Sequence, residues 1–78
     1  MILVKVIIDN KLLYDGNANE VYLNTIDKGI MALQEGCPNY VLKIVESIKI
    51  ILSNNKTHTF QIKEAIASFN NNILEIIG

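Results

Sequence analysis

The hydrophobic positions between Asn39 and Ser53 recur at the spacing of an α-helix, in the segment NYVLKIVESIKIILS. Apolar residues return every three or four positions and form one broad stripe: Val41, Ile44, Val45, Ile48, Ile51 and Leu52. Charged and polar side chains fall on the opposite side, which is the pattern of an amphipathic helix. The stripe is wider than a surface helix needs. The sequence therefore predicts a central helix with other elements packed on two sides.

The N-terminal residues predict a β-hairpin. Residues 2–8 form a short, mostly β-branched apolar segment, and residues 11–15 contain a second apolar segment. Asp9 and Asn10 between them tolerate positive φ, which is the signal of a tight turn. A two-stranded hairpin is only marginally stable by itself, so we expect it to lie against a helical layer. Its free edge could pair with a second copy.

Two more helices are predicted around the central one. Residues 20–35 keep helical phase and end at Gly36, and residues 60–77 keep it to the end of the sequence. The Asn triplet at 70–72 interrupts helix propensity but not the phase, and it is also a turn signal. The predicted fold class is α+β, one domain over residues 1–78 with a hairpin followed by three helices (ββααα). A short C-terminal strand at 73–77 stays open as an alternative.

Composition indicates more apolar surface than a small core can hide. The chain has 78 residues, and 50% of them are hydrophobic. A domain of this size buries only about 60% of the surface of its extended chain. The surplus favours a protein partner, and a homodimer is the simplest one because a single patch then serves both sides. Ile50, Met31 and Tyr40 are the apolar residues expected to reach the surface and form the interface.

Charge argues against nucleic acid and membrane as partners. The formal net charge is −1, and all seven basic residues are lysines scattered along the chain. Without arginine there is no bidentate contact to guanine or phosphate. No stretch reaches the roughly 18 uncharged apolar residues of a membrane span. The single Cys37 and the absence of a signal peptide favour the reducing cytoplasm.

No residue pattern indicates catalysis, a cofactor or a metal. Cys37 and His58 are the minimum for a thiol nucleophile, but neither has a recognisable orienting partner in the sequence. Phosphate-binding glycine motifs are absent, and one cysteine cannot form a cysteine-based zinc site. We therefore expect a protein that is not an enzyme, with no cofactor and no bound metal.

Function is predicted as protein binding by surface occlusion or scaffolding. One concrete version is an inhibitor encoded by a phage or mobile element, such as an anti-CRISPR-like protein acting on a host protein. The alternative is a small dimeric transcriptional regulator that binds DNA through a helix-turn-helix-like pair made by the second and third helices. Gln61, Lys63 and the Asn triplet would then be the polar groups that read bases.

Overall fold

The chain folds entirely into β-structure. The computed structural model describes residues 1–78 and contains seven β-strands and no helix. They are β1 (Ile2–Ile8), β2 (Lys11–Ala18), β3 (Glu20–Thr25), β4 (Gly29–Gln34), β5 (Tyr40–Ile51), β6 (Thr57–Asn70) and β7 (Ile73–Ile77). All seven belong to one mixed sheet in the order β2-β1-β7-β6-β5-β3-β4. Every pairing is antiparallel except that of β1 with β7, which is parallel.

The predicted α+β fold with three helices is therefore wrong. The first predicted helix, residues 20–35, is the antiparallel pair β3 and β4, and the second is the single strand β5. The third, residues 60–77, is divided between β6 and β7. The structure does contain a hairpin of β1 with β2, and residues 73–77 form a strand. The helix-turn-helix pair on which the DNA-binding alternative depended is absent.

Strand β5 shows why the helical spacing was misleading. Its buried residues are Leu42, Ile44, Ile48 and Ile50, all at even positions, and Lys43 and Lys49 between them are exposed. Val45 and Ile51 are apolar residues on the other side of the strand, and they completed the apparent helical stripe. Strict alternation would also turn Glu46 inward. Instead, the backbone of Glu46 has φ of 70°, the ladder to β6 is irregular there, and the side chain is exposed.

Asn and Asp residues make the two tight turns of the sheet. Asp9 and Asn10, with φ of 51° and 63°, join β1 to β2. Asn71 and Asn72, with φ of 49° and 63°, join β6 to β7. Both two-residue loops need positive φ at consecutive positions, which Asn and Asp adopt more readily than other side chains. The second turn interrupts what was predicted as a continuous helix.

The connection from β2 to β3 requires the sheet to fold over on itself. Four strands separate β2 from β3 in the sheet, a distance of about 24 Å if the sheet were flat. Only Asn19 links them, and one residue spans about 3.5 Å. The N–H of Asn19 donates to the carbonyl of Ile51 at 2.8 Å, so β2 ends beside β5. The result is a two-layer sandwich.

The long strands β5 and β6 take part in both layers. In the first layer, β2, β1 and β7 continue into the second half of β6 and the first half of β5. In the second layer, β4 and β3 continue into the second half of β5 and the first half of β6. A hydrogen bond of 2.9 Å from the N–H of Gly36 to Oδ1 of Asn72 joins the end of β4 to the β6–β7 turn. This contact holds one end of the sandwich closed.

The core lies between the two layers. It is one cluster of 16 buried hydrophobic side chains, to which β5 contributes four, β1 and β6 three each, and the other strands one or two. Phe69 is the largest of them, and no buried side-chain nitrogen or oxygen lacks a hydrogen-bond partner. The expectation that Ile50 reaches the surface is wrong, because its side chain is fully buried in this cluster. Helical phase had placed it on the polar side, whereas strand alternation turns it inward.

Truncation of Ile50 should therefore destabilise the fold. We expect Ile50→Ala to lower the free energy of unfolding by about 2–5 kcal/mol, because it leaves a cavity in a packed core. Val41→Ala removes a side chain of the same strand that is 77% exposed, and it should cost less than about 1 kcal/mol. Urea unfolding followed by far-UV circular dichroism measures both. Equal losses for the two variants would contradict the orientation of β5.

Candidate protein-binding face

The structure does not bring the three predicted interface residues together. Ile50 is in the core, near the end of β5. Met31 lies on the edge strand β4 and Tyr40 at the start of β5, and both are half-buried against the core cluster. The Nζ of Lys28 is 5.5 Å from the centre of the Tyr40 ring. An interface role for Met31 and Tyr40 stays a prediction.

A different set of apolar side chains is exposed together on the outer side of the first layer. We call it the outer apolar face, and its members come from four adjacent strands: Leu3, Val41, Ile66, Ile73 and Ile77. Their exposed fractions run from 45% for Ile66 to 77% for Val41. Isolated exposed aliphatic residues are ordinary, whereas several on one side of a sheet make that side a candidate contact surface.

The register of the strands places these residues in two adjacent pairs. Leu3 pairs with Ile73 across β1 and β7, and Ile77 pairs with Ile66 across β7 and β6. Paired residues in adjacent strands have Cβ atoms about 5 Å apart, so the members of each pair lie side by side. A row formed by Lys5, Glu75, Ser68 and Val41 lies between the two pairs.

The charges on this face are matched within the face itself. The Nζ of Lys43 is 3.8 Å from Oε2 of Glu64, and both side chains are well exposed. Lys5 stands directly opposite Glu75 in the β1–β7 register. Exposed pairs of this kind add little stability. Lys5 and Glu75 lie between the two aliphatic pairs, so a surface that covered all the aliphatic residues would cover these charges as well.

Sequence reasoning missed this face because it used the wrong period. With a helical repeat, Val41, Ile66, Ile73 and Ile77 were assigned to the buried stripes. Alternation in steps of two separates them from their buried neighbours, as in ILEII, where Leu74 and Ile76 are buried and Ile73 and Ile77 are exposed. The many β-branched residues in these segments were the sequence signal that indicated strands instead of helices.

Three concavities border the outer apolar face. One of about 220 Å³ lies between β1 and β7 beside Leu3 and Ile73, and another of about 220 Å³ lies beside Ile66 and Ile77. The third, of about 380 Å³, lies beside Val41, Ser68 and Asn70. Pockets for small-molecule ligands usually have about 300–1,000 Å³, so the first two are smaller than such a pocket and the third is at the low end of the range.

A larger open groove of about 460 Å³ lies on the outer side of the second layer. It runs past Tyr22, Asn24, Ser47 and Lys49. The amide of Asn24 donates to Oγ of Ser47 at 3.1 Å, and the Nζ of Lys49 lies 5.8 Å from the centre of the Tyr22 ring. These polar groups are engaged with one another and do not converge on a shared point where a ligand could bind.

Cys37 and His58 lie at opposite ends of β5 and form no dyad. Cys37 is half-buried just before β5 begins, whereas His58 pairs with Ile50 near its end. The His58 ring lies 5.9 Å from that of Tyr14 and 6.4 Å from that of Phe60. Burial raises the pKa of Tyr14, whose hydroxyl donates to the carbonyl of Asn17 at 2.6 Å. No three histidine, cysteine or acidic side chains are grouped as a metal site would require. The structure has no helix able to cross a membrane.

Comparison with solved structures identifies a chain of the same fold. No protein-family model matches the sequence, and no curated protein matches it. The structure is similar to a chain in the cryo-EM structure of the Euglena gracilis mitochondrial ATP synthase, OSCP/F1/c-ring in rotational state 1. The TM-score is 0.89 at 14% identity, and the match covers 97% of this chain and 49% of the Euglena chain. At this identity the likeness shows the fold, and this chain spans about half the length of its neighbour.

The outer apolar face should be dispensable for folding. We expect Ile66→Thr to lower the free energy of unfolding by less than about 1 kcal/mol, because the side chain is exposed and threonine keeps the β-branch. Phe69→Ala, three residues further along β6 and buried, should cost about 3–5 kcal/mol. Chemical denaturation of the two variants measures the difference. A loss for Ile66→Thr as large as that for Phe69→Ala would mean that this face is part of the core.

Proposed function

We propose that this chain is a non-enzymatic protein-binding domain that serves as a subunit of a multi-protein assembly of the ATP synthase type. The outer apolar face is the observation that carries the proposal. Five aliphatic side chains remain exposed on one side of a sheet whose other side is already packed, and four of them form two adjacent pairs. Exposed apolar surface is stabilised when another protein removes it from water.

The likeness to the Euglena chain supports a subunit role over an inhibitory one. That chain belongs to an assembly containing OSCP, F1 and the c-ring, so this fold has a precedent as one component among several proteins. Scaffolding is the form of protein binding that such a setting favours. Inhibition by occlusion, as in a phage-encoded protein, has no comparable precedent among these observations.

A scaffolding role also agrees with the chemistry of the surface. The polar groups beside the open groove are engaged with one another. On the outer apolar face Lys43 is paired with Glu64, and Lys5 stands opposite Glu75 in the register. We infer that the partner presents apolar side chains to the aliphatic residues, such as the apolar side of an amphipathic helix.

The proposal is tested by recovering the assembly from the source organism. A tagged copy of the chain should co-purify with ATP synthase subunits identified by mass spectrometry. Val41→Asp should abolish that recovery, because a carboxylate covered by an apolar partner is desolvated without a hydrogen-bonding group to satisfy it. Ile30→Asp is the matched control, since it adds the same charge at a similarly exposed isoleucine on β4 of the second layer, away from the outer apolar face.

Two results would contradict the two parts of the proposal. If the unaltered chain retrieves no ATP synthase subunit, the subunit role is wrong. If Val41→Asp, shown by circular dichroism to be folded, retrieves the same proteins in the same yield as Ile30→Asp, the contact does not lie on the outer apolar face.

A further inference from the structure

The centre of the outer apolar face is charged, and this restricts what can cover it. Lys5 and Glu75 stand opposite each other on β1 and β7, with an aliphatic pair on either side of them. An uncharged cover would remove both groups from water with only each other as partners, which is unfavourable unless further opposite charges are supplied. A surface that covers the centre should therefore present charges of its own at matching positions.

The register arranges the outward side chains of β2, β1, β7 and β6 in three rows, each with one residue from every strand. The middle row is charged or polar and consists of Asp15, Lys5, Glu75 and Ser68. The row on one side is aliphatic and consists of Leu12, Ile7, Ile77 and Ile66. The row on the other side has an aliphatic centre and amide ends: Asn17, Leu3, Ile73 and Asn70.

This surface matches a second copy of itself when a twofold axis runs parallel to the strands, midway between β1 and β7. The rotation places β1 of one copy over β7 of the other and β2 over β6, with the rows in register. Lys5 then faces Glu75 of the second copy, and the axis repeats this contact. Sheets packed face to face keep their strands within about 30° of each other, which preserves the correspondence. Aliphatic residues also fall over aliphatic residues of the second copy: Leu3 over Ile73, Ile7 over Ile77 and Leu12 over Ile66.

Neighbouring positions of the axis are less favourable. An axis along β1 places Lys5 over Lys5 of the second copy, an axis along β7 does the same to Glu75, and an axis across the strands along the middle row does both. An axis between β7 and β6 leaves Lys5 over Val41, without an opposite charge. An axis between β2 and β1 pairs Lys5 with Asp15, but only those two strands overlap. Since like charges placed face to face are costly, the charge pattern selects the axis between β1 and β7.

We propose that the outer apolar face is covered by the same face of a second copy, in a dimer with Lys5 over Glu75 at its centre. The paired region is about 19 Å across four strands and about 13 Å along them. It is smaller than a standard interface, which buries about 800 Å² of each partner, so the dimer is weak and reversible. Its role rests on the proposed function: the second copy protects the face until the assembly partner displaces it.

Charge reversal at the centre tests this pairing by sedimentation equilibrium. The unaltered chain should show a monomer–dimer equilibrium. Lys5→Glu alone and Glu75→Lys alone should each raise the dissociation constant by about tenfold or more, because like charges then face each other at two places. A mixture of the two variants should recover association to within about threefold of the unaltered chain, because opposite charges again face each other. Repulsion inside each chain is unchanged by mixing, so the recovery reports contact between copies.

Two controls separate this contact from general charge effects and from the assembly. Lys28→Glu and Asp27→Lys make the same charge changes in the exposed β3–β4 turn and should leave the dissociation constant unchanged, alone and mixed. Val41→Asp should leave the dimer intact, because Val41 lies beyond β2 of the second copy, although it prevents recovery of ATP synthase subunits. Circular dichroism establishes that the variants are folded.

The pairing is overturned if the unaltered chain stays monomeric at millimolar concentration, or if the mixed variants associate no more tightly than each does alone. It is also overturned if Val41→Asp weakens the dimer as much as Lys5→Glu. Sedimentation uses the purified chain alone, so its outcome is independent of whether ATP synthase subunits are retrieved. Failure of the dimer and failure of the subunit role are therefore distinguished.

Discussion

The one-residue connection between β2 and β3 is the constraint on which the rest of the structure depends. Asn19 alone joins β2 to β3, although four other strands lie between them in the sheet. A flat, open sheet is therefore impossible. Folding it into two layers gives each strand one side turned toward the core and one side turned outward. A chain of 78 residues can thereby bury 16 hydrophobic side chains in one cluster without any helix to cover the sheet.

The same arrangement explains why the apolar surplus is not spread evenly over the surface. Strand β7 lies in the middle of the first layer and is apolar on both sides, with Leu74 and Ile76 in the core and Ile73 and Ile77 outside. A strand apolar on both sides is typical of a sheet covered on both sides. This chain covers only the inner side, so the outer side of the first layer remains exposed.

The sequence was sufficient to predict local features and insufficient for the pairings. Asp9 and Asn10 predicted the first turn because few side chains adopt positive φ. Strand β5 was predicted as a helix because the apolar residues on its two sides fit a repeat of 3.6 residues as well as one of 2. The repeat of 2 is also interrupted at Glu46, an exposed charge at a position that strict alternation would bury. Ile50 was assigned to the surface for the same reason. The parallel pairing of β1 with β7 joins residues about seventy positions apart, and no local signal specifies it.

Nuclear magnetic resonance of the labelled protein tests the folded-over sheet most directly. The structure predicts extended-strand backbone shifts over residues 40–51. It also predicts a nuclear Overhauser effect between the amide of Gly36 and the side chain of Asn72, whose groups would lie three strand spacings apart, about 14 Å, in a flat sheet. Helical shifts across residues 40–51, or strand shifts without the contact between Gly36 and Asn72, would contradict the two-layer arrangement and the outer apolar face that follows from it.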